Sequence, residues 1–368
     1  MKTTILKEDL AKALNLVSRI VSPRPSLPVL NNVLLSVTKE GVTLSATNLE
    51  TSIKVKAPAK TSLEGSTTVP AKVFGEFINS LKEEKLDLVL EKENLEVVGE
   101  ATKAQLATIN PLEFPALPEI RKEETEVLES AELVEAINQV VFAASVDEAR
   151  PILTGVLLRE EKGGLLFVAT DGYRLAKKET KIKTNLKEMV VPAKSLLEVA
   201  KLITEMGEEE IRLGLLGEKN QVVFVGNNFE LSTRVLDGAF PNFEQIVPKK
   251  LILETKLDRE GLSEAVRQTA VLAKDLGSVV QIEAKPGKEI VLSAKTAQLG
   301  QATTRLSGEV SGEAVSVALN SRFLLEGLSN FKAKEISFDL SGATSPALLS
   351  DKKDPSFIYI VMPVRVQG

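Results

Sequence analysis

The residue types that most often carry out enzymatic chemistry are missing from this sequence. It contains no His and no Cys, which excludes the commonest general base, the Ser–His pair, thiol nucleophiles and disulfides. The usual zinc and copper ligands are missing as well. Catalysis would have to use carboxylates, and the candidates for a pair are Asp147 and Glu148, or Asp171. These acids lie at positions typical of turns, which weighs against an enzyme.

Phosphate-binding and ion-binding loops are not indicated either. The sequence has no G-x-x-x-x-G-K-[ST] loop and no G-x-G-x-x-G pattern after a strand. Gly163-Gly164 lies between two strand-like runs and predicts a hairpin turn. No loop alternates acids around a turn glycine, as a calcium site would. We therefore expect no cofactor and no metal.

Two stretches carry residue types suited to recognition. ATDGYRLA (169–176) is typical of a strand that ends in an Asp-Gly turn, followed by Tyr173 and Arg174. The only other Tyr, Tyr359, lies in FIYIVMPVRV (357–366), which predicts a closing strand. Met362 and Pro363, close to the end of the sequence, suit an adaptable apolar pocket.

The sequence repeats itself at an interval of about 120 residues, which fits duplicated domains rather than a solenoid. VPAK occurs at 69–72 and 191–194, and VALN at 317–320 is a fainter third copy. Three further pairs follow the same order: PVLNNVLL with PILTGVLL, ATN with ATD, and two Phe-Pro dipeptides. We therefore predict three domains over 1–120, 121–248 and 249–368, joined by firm Pro-containing segments.

Each repeat predicts two helices and two sets of strands, and therefore an α+β domain with helices over antiparallel sheets. Ser130 and Asp258 are predicted helix caps. Lys72 and Lys194 are predicted in the first turn after Val-Pro, and a sixth helix after Asn320. The predicted strands cover 29–38, 42–47, 86–90, 95–98, 152–159, 165–170, 211–215 and 221–225. The helical stripes comprise Leu10, Ala13, Leu14, Val17 and Ile20; Val73, Phe74, Phe77, Ile78 and Leu81; Leu133, Ala136, Ile137, Val140 and Val141; Leu196, Leu197, Val199, Ala200 and Ile203; and Leu262, Val266, Thr269, Ala270, Leu272 and Ala273.

Composition places the chain among ordinary globular proteins, with 43% apolar and 26% charged residues. The sequence has no apolar run long enough to cross a membrane, and its first residues lack a signal-peptide core. We expect a cytoplasmic protein without membrane contact.

The combination of the repeat with ATDGYRL, FPNFEQIVP (240–248) and YIVMPVRV (359–366) resembles the bacterial sliding clamps, the beta subunits of DNA polymerase III. The resemblance runs from residue 1 to 366. It implies a non-catalytic, head-to-tail homodimer whose six domains close into a ring around duplex DNA, the DNA clamp fold. It implies a processivity factor near the nucleoid that tethers the DNA polymerase III catalytic subunit. The clamp loader, other polymerases and repair proteins would bind the same clamp through short peptide motifs.

A net charge of −5 would be an objection to a protein that grips phosphates. A ring is retained by topology, so the placement of charge matters more than its sum. The residues expected to face DNA are Arg24, Lys72, Lys194, Lys201, Arg267 and Arg322. The same helices also carry acids, so the alternative of a solvated helix face stays open.

The resemblance also implies a hydrophobic peptide cleft where the second and third domains meet. Leu175 and Val361 would form apolar walls, Met362 a movable lid, and Arg174 and Arg365 would bind peptide carboxylates or carbonyls. Gln245 stands where many members of the family have a basic residue. The matching positions are Leu153, Thr170, Gly172, Tyr173, Arg174, Leu175, Pro241, Ile246, Asn320, Phe323, Pro346, Ile360, Val361, Met362, Pro363, Val364 and Arg365.

For the dimer seam, the resemblance implies Ala104 and Leu106 on one subunit against Val271 and Leu272 on the other. A strand over 103–108 would pair across the seam.

Two alternatives to a ring-shaped clamp remain at this point. One is an enzyme that uses a carboxylate pair, and the other is a monomeric peptide-binding scaffold that does not encircle DNA.

Overall fold

The structure is a computed structural model, and it describes residues 1–22, 26–121, 124–216, 220–273, 277–296 and 300–365. Within these residues the three repeats share one order of elements: strand, helix, strands, helix, strands. The first repeat contains β1 (Lys2–Leu6), α1 (Lys7–Ser18), β2 (Asn32–Thr38), β3 (Gly41–Thr47), β4 (Thr51–Ala57), β5 (Ala59–Leu63), β6 (Gly65–Pro70), α2 (Ala71–Ser80), β7 (Lys85–Glu91), β8 (Asn94–Val98) and β9 (Lys103–Ala107).

The second and third repeats follow the same plan with one strand fewer. The second contains β10 (Thr125–Glu129), α3 (Ser130–Val140), β11 (Gly155–Glu161), β12 (Gly164–Thr170), β13 (Arg174–Glu179), β14 (Met189–Pro192), α4 (Ala193–Met206), β15 (Glu210–Leu216), β16 (Gln221–Val225) and β17 (Phe229–Arg234). The third contains β18 (Leu253–Asp258), α5 (Arg259–Ala270), β19 (Val279–Ala284), β20 (Gly287–Thr296), β21 (Gly300–Gly312), β22 (Val315–Asn320), α6 (Ser321–Leu328), β23 (Glu335–Leu340), β24 (Ala347–Ser350) and β25 (Phe357–Val361).

The chain forms two compact units, and the middle repeat contributes strands to both. The first unit, Met1–Ala131 with Glu198–Val235, holds a five-stranded sheet in the order β5-β1-β7-β8-β9. It also holds an eight-stranded sheet in the order β10-β15-β16-β17-β4-β3-β2-β6, in which β17 of the second repeat pairs with β4 of the first. Helices α1 and α2 pack together, and α1 covers β3 and β4.

The second unit, Glu132–Leu197 with Leu236–Gly368, contains one twelve-stranded antiparallel sheet. Its order is β14-β11-β12-β13-β25-β24-β23-β18-β21-β20-β19-β22. The link between the second and third repeats is the pairing of β13 with β25. Helices α5 and α6 pack together on the strands of the third repeat.

The repeated VPAK marks the passage from a strand into a helix. Val69-Pro70 ends β6 and Val191-Pro192 ends β14, and the next residue begins α2 or α4. The fainter copy ends β22 at Asn320, and α6 begins at Ser321. Proline suits this place because the first helical residues need no backbone N–H donor. The prediction that Lys72 and Lys194 lie in the first helical turn is confirmed.

Most of each helical stripe is confirmed as core, but the prediction for Val73 was wrong, since its side chain is 53% exposed. Leu10, Leu14, Leu133, Ile137 and Val266 are all buried. Ile20, Leu81, Val141, Leu272 and Ala273 lie just beyond the helices as the structure has them.

Predictions at element boundaries were wrong or incomplete in two respects. A short 3-10 helix replaces the first residues of two predicted strands, at Pro28–Asn31 and Pro151–Thr154, because proline presets a tight turn. A strand precedes the first helix of every repeat, where we expected the helix to come first.

One of the two predicted helix caps is confirmed. Asp258 accepts a hydrogen bond from the Gly261 amide at 2.6 Å. The Ser130 hydroxyl is buried and makes no hydrogen bond within the part of the chain that the structure describes. No helix among the described residues is long and apolar enough to cross a membrane.

Candidate functional site

The two recognition stretches are neighbouring strands. Strand β13 pairs antiparallel with β25, so that Arg174 lies opposite Val361, Leu175 opposite Ile360 and Ala176 opposite Tyr359. The stretches are far apart in sequence, and only this pairing brings them together. It supports the expectation that 170–175 and 360–365 belong to one site.

Leu175 and Ile360 face the same apolar layer. Residues opposite one another in antiparallel strands share a face of the sheet, and successive residues alternate between faces. Leu348 of β24 lies opposite Ile360 on the other side and joins the same layer. The layer comprises the buried residues Leu157, Leu166, Val168, Leu175, Val190, Phe243 and Ile360, and the partly buried Ile152, Leu236, Phe240, Ile246, Val247, Leu348 and Ile358.

The expected wall made of Leu175 and Val361 needs a correction. Val361 lies opposite Arg174 and therefore on the other face of the sheet from Leu175. Both side chains are buried, at 1% and 0% exposure. The residue that shares a face with Leu175 is Ile360, and Ile246 is the partly buried residue that could form the surface of this layer.

Arg174 is held by the protein itself and is not free to meet a ligand. Its Nε donates to Asp171 Oδ2 at 3.0 Å, one terminal nitrogen donates to Glu326 of α6, and the other donates to the Phe142 carbonyl at 2.7 Å. The guanidinium also lies over the Phe323 ring, 4.5 Å from its centroid. Burial opposes the charge of Arg174, yet the hydrogen bond to Glu326 leaves its pKa raised.

These contacts change the expected role of Arg174. A guanidinium whose side chain is 10% exposed and already meets two carboxylates has little attraction left for a peptide carboxylate. It instead ties the short 3-10 helix after α3, Val141–Ala143, to α6, and thereby the second repeat to the third. Residues Phe142 and Glu326 were missed by sequence reasoning because nothing local in the sequence marks them as partners of Arg174.

The 170–173 segment is a turn stabilised by its own side chains. Asp171 accepts from the amides of Tyr173 and Arg174 at 2.8 and 3.0 Å. Thr170 Oγ1 donates to the Arg174 carbonyl at 2.6 Å and accepts from the Gly172 amide. Gly172 has φ +91, which suits glycine. The turn leaves Tyr173 61% exposed.

The segment after β25 crosses the end of the sheet beside this turn. The Met362 amide donates to the Tyr173 carbonyl at 2.8 Å, and the Val364 amide donates to the Ala318 carbonyl of β22 at 2.8 Å. Met362 and Pro363 are half-buried, whereas Val364 and Arg365 are exposed. The segment thus places the adaptable Met362 next to Tyr173.

Tyr359 is a structural residue beneath this surface. Its hydroxyl donates to the Phe323 carbonyl at 3.0 Å, and its ring lies 5.3 Å from that of Phe142. Burial is the main cause of its raised pKa. Gly327 leaves room for the Tyr359 ring on α6, because a Cβ there would overlap it.

The predicted cleft residues divide by exposure. Asn320 has a defined local role, since its side chain accepts from the Arg322 and Phe323 amides and caps α6. The exposed members are Gly172, Tyr173, Pro241, Val364 and Arg365; the half-buried ones are Arg174, Ile246, Asn320, Phe323, Pro346, Met362 and Pro363; the buried ones are Leu153, Thr170, Leu175, Ile360 and Val361. Apart from Arg174, whose guanidinium is held by Asp171, Glu326 and the Phe142 carbonyl, the first two groups are accessible to a ligand.

The basic residues expected to face DNA lie on four helices. Lys72 lies on α2, Lys194 and Lys201 on α4, Arg267 on α5 and Arg322 on α6, and all five are exposed. Lys201 forms an ion pair with Glu198 at 2.7 Å, and Lys194 lies 4.0 Å from Glu148. Arg24 lies outside the described residues.

The residues expected at the seam are accessible. Ala104 and Leu106 are half-buried on β9, which forms one end of the five-stranded sheet. Val271, directly after α5, is 59% exposed, and Leu272 is half-buried. Val271 is therefore a surface residue and does not belong to the core.

The candidate carboxylate pair is used in turns and ion pairs. Asp147 accepts from the Ala149 amide at 3.0 Å and lies 3.8 Å from Arg150. Glu148 is exposed near Lys194, and Asp171 holds its own turn. Among the described residues, no group of three or more Asp or Glu side chains is placed to hold a metal ion.

Solved structures define the class of protein. The DNA polymerase sliding clamp of Bacillus subtilis aligns over 100% of both chains with a TM-score of 0.94 at 26% identity. The DNA polymerase III beta subunit of Thermotoga maritima aligns over 100% of both chains with a TM-score of 0.92 at 27% identity. Three α+β repeats with six helices and antiparallel sheets are thus the sliding-clamp fold.

Sequence similarity then gives the family. The chain matches the N-terminal domain of the DNA polymerase III beta subunit over residues 1–118, its central domain over 127–242 and its C-terminal domain over 244–365. The beta sliding clamp of Synechococcus elongatus is 32% identical over 378 residues, covering 100% of both chains. The chain therefore belongs to the family of beta sliding clamps, and its function is that of a non-catalytic processivity clamp in DNA replication.

Proposed function

We propose that two copies of this chain associate head to tail into a ring of six domains that encircles duplex DNA. The ring would hold the DNA polymerase III catalytic subunit to its template, and the clamp loader, other polymerases and repair proteins would bind the same surface. A heterologous contact that closes on itself gives a ring rather than a fibre. The proposal places the protein in the cytoplasm, on the DNA of the nucleoid.

The observation that carries the tethering role is the pairing of β13 with β25. It aligns Leu175 with Ile360 and leaves Tyr173, Met362 and Val364 at the surface beside them. An apolar layer that reaches the surface next to a few polar groups is the usual arrangement for binding a short peptide. We infer that the apolar anchors of partner peptides lie against this layer.

Two unpaired strand edges support the seam. Strand β9 pairs with β8 alone, so its other edge is open among the described residues. Strand β21 pairs with β18 only from Gly308 onward, which leaves its residues 300–307 with a neighbour on one side only. Open edges are templates for pairing with another chain. Val271, directly after α5, offers an exposed apolar side chain that could be buried at such a contact. We propose that β9 of one subunit pairs with the third domain of the next.

Contact with DNA would rest on the five exposed cations Lys72, Lys194, Lys201, Arg267 and Arg322. They would neutralise phosphates weakly and without reading sequence, which suits a ring that slides. Since Lys201 is paired with Glu198 and Lys194 lies 4.0 Å from Glu148, these two would contribute less than Lys72, Arg267 and Arg322.

Electron microscopy of the purified protein in negative stain tests the assembly. The expected image is a closed ring with six lobes and a hole wide enough for duplex DNA. Isolated arcs of three lobes would reject the closed ring and leave a monomeric peptide-binding scaffold.

A retention test on DNA measures encirclement directly. Clamps loaded on a circular plasmid should be lost when the plasmid is cut once, because a ring slides off a free end. Clamps that merely bind phosphates should stay bound.

A further inference from the structure

A cavity of about 420 Å³ opens beside the predicted peptide cleft, within the second compact unit. One wall is the segment 245–250, and the other is formed by Ser341, Ser345 and Pro346. The strands that end nearby are β23, at Leu340, and β24, which begins at Ala347. The cavity therefore lies where the chain enters the third repeat.

The cavity is continuous with the cleft. Ile246 and Pro346 line the cavity and are also predicted cleft residues. Ile246 and Val247 pack against the apolar layer that contains Leu175 and Ile360. A peptide whose apolar side chains lie on this layer would have its neighbouring residues within reach of the cavity.

The lining of the cavity is positively charged and has no acidic residue. Lys249 and Lys250 are exposed, and neither forms an ion pair with another described residue. Ser341 contributes a buried hydroxyl oxygen that makes no hydrogen bond within the described residues. Two free ammonium groups and an unused hydroxyl favour an anionic group from a partner, because a carboxylate would satisfy both kinds of donor.

We propose that this cavity selects partner peptides that carry acidic residues next to their apolar motif. The inference rests on the proposed function of the cleft and adds the chemistry of the partner. The acidic residues of the peptide would be held by Lys249 and Lys250, while the apolar anchors lie against the layer of Leu175 and Ile360. The two lysines would therefore set preference among partners rather than supply most of the affinity.

The test uses fluorescently labelled peptides with one apolar core, Leu-Leu-Phe, and two flanking residues that are Asp-Asp, Asn-Asn or Lys-Lys, placed at either end. Affinities are measured by anisotropy with the full-length protein and with Lys249→Gln/Lys250→Gln. A matched control is Lys285→Gln/Lys288→Gln, since these two lysines are also exposed and form no ion pair with a described residue. They do not line the cavity.

Among all the peptides, the wild-type protein should bind most tightly one that carries Asp-Asp, and the Asp-Asp pair should be favoured at only one of the two ends of the core. Loss of both cavity lysines should lower the affinity for that peptide about 3- to 10-fold, as expected for two exposed ion pairs. The affinity for the Asn-flanked peptide should stay within about 2-fold of the wild-type value. The preference should fade in about 0.5 M salt because the charges are screened. The control variant should bind all peptides as the wild type does.

Three results would overturn the inference. Equal affinity of the wild-type protein for Asp-flanked and Asn-flanked peptides would reject the acidic preference and leave the cleft intact. An equal loss for both peptides in Lys249→Gln/Lys250→Gln would do the same, since it would indicate a general effect. No binding of any peptide would overturn this inference together with the proposed cleft.

Discussion

Leu175 and Ile360 lie directly opposite one another in β13 and β25, and both side chains face the same apolar layer. One residue comes from the second repeat and the other from the third, so a single strand pairing both joins the repeats and builds the proposed peptide site. A substitution there can therefore change stability and binding at once, and predictions must separate the two effects.

Met362 allows peptide binding to be tested with little disturbance of the core. Its side chain is half-buried, and its backbone amide keeps the bond to Tyr173 whatever the side chain. Met362→Ala should weaken peptide binding by about 1–3 kcal/mol, in the range for an apolar anchor. Isothermal titration calorimetry measures the loss, and the melting temperature should change little. Met206→Ala, at another half-buried Met outside the site, is the control.

Leu175→Ala should also weaken binding by about 1–3 kcal/mol. Because Leu175 is buried in the layer, this variant should in addition lose about 2–5 kcal/mol of unfolding free energy. Unchanged peptide affinity in both Met362→Ala and Leu175→Ala would remove the cleft assignment.

The ion pair of Arg174 and Glu326 should be a structural link between repeats. Arg174→Lys cannot reproduce the planar set of bonds to Asp171, Glu326 and the Phe142 carbonyl. A double-mutant cycle of Arg174→Lys with Glu326→Gln, followed by urea unfolding, should give a coupling of about 1–2 kcal/mol. Coupling near zero would mean that the two side chains act independently.

The sequence predicted the helices and part of the strands because amphipathic spacing is local, and it failed where contacts are not. The stripes around Leu14 and Ile137 and the strand-to-helix passage at Pro70 were all visible in short windows. The partner of β13 could not be read from any window, since pairing of Ala176 with Tyr359 depends on packing between repeats. The resemblance to a family supplied that link, but not the role of Arg174 as an internal tie.

The missed strands at the start of each repeat have different causes. Strand β18 has strict alternation, with Leu253, Thr255 and Leu257 buried, and its pattern could have been found. Strand β1 buries Thr3 as well as Ile5, and a buried Thr looks polar in a sequence. The two-residue alternation of buried side chains in β1 was therefore hidden by Thr3, whose hydroxyl donates a hydrogen bond to the Lys60 carbonyl.

Gly327 should be needed for the packing of Tyr359. A Cβ at position 327 would overlap the Tyr359 ring, which is fully buried. Gly327→Ala should lower the unfolding free energy by about 1–3 kcal/mol through overpacking. Gly75→Ala is a matched control on α2, where an added Cβ meets nothing within 4 Å, and it should stabilise by about 0.5–1 kcal/mol. Equal effects of the two substitutions, measured by thermal unfolding, would contradict the assignment.

Asp339 should make stability depend on pH. Burial raises its pKa to about 6, partly offset by the hydrogen bond from the Thr255 amide at 2.8 Å. The folded protein therefore favours the protonated carboxyl, and this contribution to stability is complete below the unfolded pKa of about 3.9 and lost as pH rises through about 6.

Asp339→Asn should consequently raise the unfolding free energy at pH 8 by about 2 kcal/mol, and the gain should vanish near pH 4. Asn can still accept the Thr255 hydrogen bond, so geometry is kept. Chemical unfolding at several pH values measures the difference. Glu283→Gln, at an exposed carboxylate on β19, should show no such trend. A constant difference across the range would mean that Asp339 does not titrate in this window.

Val271 should decide whether the chain forms a dimer. An apolar side chain that is 59% exposed gains by burial against a second copy, whereas a charge there would have to be desolvated without a partner. Val271→Glu should therefore sediment as a monomer of 39.8 kDa, while the wild type sediments at twice that mass. Val146→Glu, at a loop residue that is also exposed, should remain a dimer.

A pair of opposite charges tests which residue faces Val271 across the seam. If that residue is Leu106, Leu106→Lys combined with Val271→Glu should restore part of the association, because opposite charges would meet there. A Val271→Glu protein that stays dimeric would place the interface elsewhere on the chain.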